Sequence, residues 1–176
     1  MNSALDGKLR SLIRDVPDYP KPGILFKDIT PLLADAGAFV AATQAMAAPF
    51  SDAAITHVVA IESRGFILGA PVAQELRAGF VPVRKPGKLP YSRRREEYAL
   101  EYGTDALEVH SDAVGAEARV LIVDDVLATG GTAAATCRLV ESLGATVVGY
   151  SFLLALSFLP GLERIGGKRS SRILTF

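Results

Sequence analysis

Short apolar runs alternate along this chain with stretches of helical periodicity, and each run stops at a polar turn. Residues 56–61 (THVVAI) read as a buried strand that stops at Glu62-Ser63-Arg64-Gly65. Residues 66–79 (FILGAPVAQELRAG) follow as a helix in which Pro71 predicts a kink or an early break. A short strand at 80–83 contains Pro82, residues 107–110 (LEVH) form a returning strand, and 120–123 (VLIV) form a strand ending abruptly in Asp124 and Asp125. Residues 133–144 (AAATCRLVESLG) combine strong helix formers with apolar spacing near the helical period, and Gly144 falls where a C-cap would. The most hydrophobic segment, 147–159, is too short to span a bilayer and runs into Pro160-Gly161, so it reads as a buried strand continuing into a loop. Residues 172–176 predict an edge strand.

Upstream, 1–16 predicts an amphipathic helix with Leu5, Leu9, Leu12, Ile13 and Val16 on one face, and it lacks the apolar core of a signal peptide. Residues 37–50 predict an alanine-rich helix ending near Pro49. Between them, 18–30 (DYPKPGILFKDIT) carries Pro20, Pro22 and Gly23, and predicts a loop with a short extended piece. Strand, helix and strand in repetition imply right-handed crossovers and a mostly parallel central sheet flanked by helices, an α/β fold. Ligand loops gather at the carboxyl ends of such strands, where both 62–65 and 124–132 fall.

Composition narrows the class. At 176 residues the chain predicts one domain, 1–176, large enough for a real core. Its 19 basic and 19 acidic residues cancel, which argues against nucleic-acid or anionic-membrane binding through the whole surface. The one cysteine, Cys137, excludes an internal disulfide and fits a reducing cytoplasm, and His57 and His110 show no ligand pattern.

The candidate chemistry centres on RVLIVDDVLATGGT, residues 119–132. After the acidic pair the chain enters Ala128-Thr129-Gly130-Gly131-Thr132 and opens a helix. Small residues admit a ligand close to the backbone, N–H groups converge at the helix N-terminus and threonine hydroxyls add donors, a set suited to a phosphate dianion. Carboxylates repel phosphate; Asp124 and Asp125 suit ribose hydroxyls or a divalent metal bridging to them. A phosphorylated ribose satisfies both halves. The bland alternative is a helix N-terminus after a buried strand, with the aspartates merely acidic near the helix dipole. The turn has neither the GxGxxG of dinucleotide sites nor the Gly-Lys-Ser/Thr of a P-loop. Residues 84–95 (RKPGKLPYSRRR) add six basic residues, Arg84, Lys85, Lys88, Arg93, Arg94 and Arg95, with no acidic one; this is either a solvated surface or a loop that closes over a polyanion.

VLIVDDVLATGGT resembles the phosphoribosyl-pyrophosphate (PRPP) signature of the type I phosphoribosyltransferases, and PGILFKDITPLL resembles the N-terminal segment of the adenine phosphoribosyltransferases. The resemblance runs from about residue 18 to 159 and implies that family's fold, with a base-binding hood at 1–35 and a flexible lid at 84–103. It implies that Asp124 and Asp125 bind ribose while Ala128, Thr129, Gly130, Gly131 and Thr132 hold the 5′-phosphate. Phe26 would stack on adenine, Leu25 and Lys27 would offer backbone contacts, and Leu159 would border the base. Arg64, in a loop that in related enzymes can contain a non-proline cis peptide, would bind pyrophosphate with Arg84, Lys85 and Lys88; Glu101, beside Tyr102, would handle the proton on the purine. The implied activity is conversion of adenine and PRPP to AMP and diphosphate in purine salvage. Mg²⁺ would be held mainly by PRPP, near Asp124 and Asp125, in a cytoplasmic homodimer that binds neither nucleic acid nor membrane. The rivals are the same transfer to hypoxanthine, guanine or xanthine, and a non-catalytic PRPP-sensing regulator. The chain departs from the family pattern at Tyr91-Ser92-Arg93-Arg94-Arg95, where a small Ser/Thr/Gly-type stretch is expected. It departs again at Ala155 and Gly161-Leu162, where the family often has an acidic residue and a Gly-Arg pair.

Overall fold

The computed structural model describes residues 3–99 and 103–176. Its centre is a five-stranded parallel sheet of β3 (His57–Ile61), β4 (Gly79–Val83), β7 (Arg119–Leu127), β8 (Thr146–Ala155) and β9 (Arg169–Thr175), in the order β4-β3-β7-β8-β9. All neighbours pair in parallel, as the repeated strand-helix pattern requires. Strand alternation divides the core in two. Val59, Ile61, Val120, Ile122 and Phe152 pack on one face with α5 (Gly131–Glu141) and its Leu139 and Val140. Val58, Leu121, Val123 and Leu153 pack on the other with Leu68 and Val72 of α4 (Arg64–Glu75) and with Met46 of α3 (Ala36–Ala47).

Two small antiparallel ribbons flank the sheet. The first joins β1 (Arg14–Pro17) to β2 (Leu25–Asp28), in register from Arg14↔Asp28 to Pro17↔Leu25. It shortens the predicted N-terminal helix: α1 is Ser3–Ser11, and Val16 lies in β1 because pairing with β2 claims its backbone. The second joins β5 (Arg93–Ala99) to β6 (Thr104–His110) and corrects the reading of 84–103 as lid loop throughout, since Arg93 to Ala99 pair residue by residue with β6. Arg138 of α5 fastens this ribbon to the body through Glu96, at 2.6 Å.

Other boundaries move for local reasons. β7 continues through Asp124 and Asp125 to Leu127 because β8 runs alongside, with Asp124↔Phe152 and Leu127↔Ala155 in register. Pro71 neither breaks nor ends α4, which extends to Glu75; the proline removes the bond to the carbonyl of Ile67, an exposed residue. Pro82 is tolerated because β4 is an edge strand. Helix α5 ends at Glu141, and Gly144, with φ of 90°, turns the chain two residues beyond the cap Ser142. Residues 172–175 prove to be the end of the edge strand β9, and Phe176 follows it. The short helices α2 (Thr30–Ala34) and α6 (Gly161–Arg164) complete the fold.

Candidate active site

A cleft of about 460 Å³ opens at the carboxyl ends of β3 and β7, lined from five separated parts of the sequence. The β2 ribbon contributes Ile24, Leu25, Phe26 and Lys27, and the end of β3 contributes Ile61, Glu62, Ser63 and Arg64. Lys85 comes from the basic loop, while Asp124, Asp125, Val126, Ala128 and Thr132 come from β7 and the turn after it.

The turn holds a second, smaller cavity of about 70 Å³, lined by Asp124, Ala128, Thr129, Gly130 and Thr132 among others. It adjoins the main cleft through Asp124, Val126, Ala128 and Thr132, which line both. Gly130 caps α5 at a left-handed φ of 76°, so the first N–H groups of an eleven-residue helix, from Gly131 onward, begin at this cavity without intrahelical acceptors. Its size and donors suit a phosphate. The turn rests on Gly161 of α6: a Cβ there would fall 2.2 Å from the Ala128 carbonyl oxygen. Sequence reading treated that region as a departure from the family pattern, whereas the close approach explains why a glycine stands in it.

Three cations around the cleft, Arg64, Arg84 and Lys85, are each met by a carboxylate. Arg64 Nε donates to Asp125 Oδ2, and its guanidinium lies 5.5 Å from the centre of the Phe26 ring. Burial works against the Arg64 charge, but Asp125 overrides it and raises its pKa. Arg84 Nε donates to Glu62 Oε2 at 2.8 Å; although burial pushes the other way, this bond and the Lys85 N–H hold Glu62 below the ordinary carboxylate range. Lys85 Nζ donates to Asp105 Oδ2 and reaches Tyr98 Oη at 3.1 Å. Those partners outweigh burial, raising Lys85 and lowering Asp105.

The acidic pair is asymmetric. Burial, and then the charge of Asp125, raise Asp124 well above the ordinary carboxylate range. Asp125 is 5 % exposed and carries the Arg64 contact, while Asp124 Oδ1 accepts the Asp125 N–H at 2.9 Å. Gly65 permits this arrangement, since a Cβ there would fall 2.8 Å from Asp124 Oδ1. The Glu62–Ser63 peptide beside it is cis, as the resemblance implied for this loop.

The structure therefore brings Leu25, Phe26, Lys27, Arg64, Lys85, Asp124, Asp125, Ala128 and Thr132 to the main cleft, with Thr129 and Gly130 on the adjoining cavity and Gly131 opening the helix beside it. Arg84 stands one residue back, behind Glu62, and Lys88 is an exposed residue whose charge acts on the same Glu62. Leu159 is not in the lining: β8 delivers Leu154 there, and the loop after it Leu156, because β8 runs three residues beyond Phe152, the partner of Asp124, before turning. Glu101 and Tyr102 lie outside the described residues. Sequence reading missed Asp105 and Tyr98, which a pattern search cannot pair with Lys85 before the hairpin register is known.

Among the described residues no cluster of three or more His, Cys, Asp or Glu side chains could cage a metal ion. Asp124 and Asp125 alone fit a magnesium ion that arrives on phosphate and ribose oxygens and takes one or two carboxylates from the protein.

The model for the phosphoribosyl transferase domain matches residues 31–157, a span holding both cavities' phosphate and acidic residues. The adenine phosphoribosyltransferase of Myxococcus xanthus is 57 % identical over 175 residues, 99 % of this chain and 95 % of that one. The crystal structure of adenine phosphoribosyltransferase from Rhodothermus marinus superposes with a TM-score of 0.95 at 52 % identity, covering 99 % of this chain and 100 % of that one. The Saccharomyces cerevisiae enzyme, solved with an imino-altritol bisphosphate and adenine, gives 0.90 at 37 % identity over 99 % and 98 % of the two chains. Agreement of this extent, through the hood and ribbon as well as the sheet, means that the chain belongs to the phosphoribosyl transferase domain family and, within it, to the adenine phosphoribosyltransferases.

Proposed function

We propose that this protein transfers the phosphoribosyl group of PRPP to adenine, releasing AMP and diphosphate. The observation that carries the reading is the convergence on one cleft of an aromatic hood residue, a cationic loop, an acidic pair and a phosphate-sized cavity at a helix N-terminus. The bond from C1 of the ribose to the leaving pyrophosphate oxygen breaks, a bond from C1 to the adenine nitrogen forms, and the proton on that nitrogen departs.

Positive charge grows on the sugar as this occurs. Asp124 and Asp125 lie where carboxylates favour it, and Thr129 to Thr132 hold the 5′-phosphate in the smaller cavity at the start of α5. Negative charge grows on pyrophosphate, and Arg64 and Lys85 face it with Arg84 and Lys88 close behind Glu62. Arg64, Arg84 and Lys85 each begin on a carboxylate, so pyrophosphate enters by exchanging partners with them. Phe26 supplies the face on which adenine stacks, and β2 pairs only with β1 among the described strands, which leaves its other edge for the polar rim of the base. Glu101 takes the proton of the base in this reading. Magnesium near Asp124 and Asp125 would neutralise phosphate charge. The same reading includes a homodimer in the cytoplasm.

Adenine is favoured over hypoxanthine, guanine and xanthine by the hood segment, where a backbone carbonyl facing the exocyclic amino group rewards adenine and repels a carbonyl. The test is purified protein with PRPP, Mg²⁺ and a panel of purine bases, with nucleotide products separated by chromatography. AMP from adenine is expected. Product from hypoxanthine or guanine alone would select a different base, and no product from any base would favour a PRPP-binding regulator.

A further inference from the structure

The arginines of 93–95 break the family pattern, and one of them ends on a buried acid. Arg93 Nε lies 3.1 Å from Glu108 Oε2, and Glu108 is only 3 % exposed. The same oxygen accepts the Gly87 N–H at 3.0 Å, from the middle of the Arg84-Lys85-Pro86-Gly87-Lys88 run. The main chain of Glu108 also exchanges both bonds with Arg84, with N–H to O distances of 2.9 and 2.8 Å. One residue of β6 thus grips the basic loop at its start, at its middle and at its return.

We propose that Glu108 and Arg93 are positioning residues for pyrophosphate, holding the loop so that Lys85 faces the leaving group with Arg84 close behind it; this rests on the reading of the cleft given above. Neither residue lines the cleft. Their effect passes through the Gly87 N–H, which sits between Lys85 and Lys88 and fixes the turn that carries both. A buried carboxylate with two donors is held firmly, and removing one donor leaves a charge that must find another partner, at the expense of the loop. Arg93 therefore neutralises Glu108 well enough for the acid to remain buried under a loop whose own task is to attract anions. Ser92 extends the seam, its carbonyl accepting the Ser111 N–H at 3.0 Å.

Steady-state kinetics on the full chain with Mg²⁺ test this, using Arg93→Ala, Arg93→Lys, Glu108→Gln and the Arg93→Ala/Glu108→Gln double variant, each with a thermal melt. Arg93 is 46 % exposed at its side chain, so its substitution leaves a folded protein even if Glu108→Gln does not. Arg93→Ala is expected to raise KM for PRPP roughly tenfold while KM for adenine stays within about twofold. Arg93→Lys is expected to recover most of that loss, and the double variant to be no worse than Glu108→Gln alone, as for residues acting as one unit. An unchanged KM for PRPP in Arg93→Ala, or equal losses for both substrates in step with a lowered Tm, would overturn the proposal. Failure of the wild-type protein to make AMP would instead overturn the reading of the cleft.

Discussion

Asp124 and Asp125 place consecutive carboxylates in one cleft, and Arg64 bonds to the second. Burial and the neighbouring charge leave Asp124 with a raised pKa. The sign of the consequence for stability follows from proton binding. From the ordinary carboxylate range up to the raised value, the folded chain keeps a proton that the unfolded chain has lost. Stability therefore falls as pH climbs through that window, and above it the folded protein carries the full cost of an ionised, poorly compensated acid. Asp124→Asn keeps an oxygen to accept the Asp125 N–H and removes this titration. The variant is expected to melt higher than the wild type at neutral pH, by about 2–4 °C for each kcal/mol relieved, with the gap widening from about pH 4 upward. It is also expected to lose most transferase activity. Melts across pH that coincide for the two proteins would show that Asp124 does not carry this cost. Function keeps a destabilising residue here because the site needs negative charge beside a sugar that becomes cationic.

At the scale of elements, the phosphate turn depends on a neighbour distant in sequence. Gly161 brings the start of α6 against Ala128 and Gly130: an added Cβ would meet the Ala128 carbonyl oxygen at 2.2 Å and Leu127 Cγ at 2.9 Å. Gly161→Ala must displace backbone, a strain of about 1–3 kcal/mol. A lower Tm and a weaker KM for PRPP are expected together, measured by thermal melt and steady-state kinetics; wild-type values for both would remove α6 as the support of the turn. This dependence also marks what the sequence could reveal. The strand-turn-helix of 119–144 was legible because apolar run, acidic pair and small-residue turn each have local causes, and the parallel order followed from repeated crossovers. Boundaries set by pairing were not: α1 stops at Ser11 because Arg14 to Pro17 join β2, and Arg93 to Ala99 become strand because β6 lies opposite. Chemistry-bearing residues such as Arg64, Asp124 and Phe26 announced themselves by type and context. Asp105, Glu108 and Leu156 did not, since their roles depend on contacts that form only when the ribbon and β8 are in place.

Across the whole molecule, the hood is fastened to the far edge of the central sheet through Phe176. Lys27, whose backbone belongs to the base-binding strand, turns its ammonium away to Asp15 at 2.6 Å and over the Phe176 ring at 4.4 Å, leaving its side chain 12 % exposed. Arg10 of α1 sits over the same ring at 5.1 Å, and its guanidinium bonds to the Thr175 carbonyl at 2.9 Å. The Phe176 carbonyl accepts from Ser157 N–H and Oγ at 2.7 and 2.8 Å, next to Leu156 in the cleft lining. One residue therefore joins α1 and the hood through its ring and the loop that closes the base side of the cleft through its main chain, while the phosphate turn and the acidic pair stand on the rigid middle of the sheet. Phe176→Ala removes cation–π contacts worth about 0.5–2 kcal/mol, depending on how far they are shielded from water. Loss on that scale loosens Lys27 and so the backbone it carries. KM for adenine is expected to rise about three- to tenfold with KM for PRPP nearly unchanged, since donor and base are held by parts of the molecule that meet only at the cleft. Initial rates with each substrate varied in turn decide it, and an equal rise for PRPP would mean that hood and phosphate turn are coupled through the sheet rather than anchored apart.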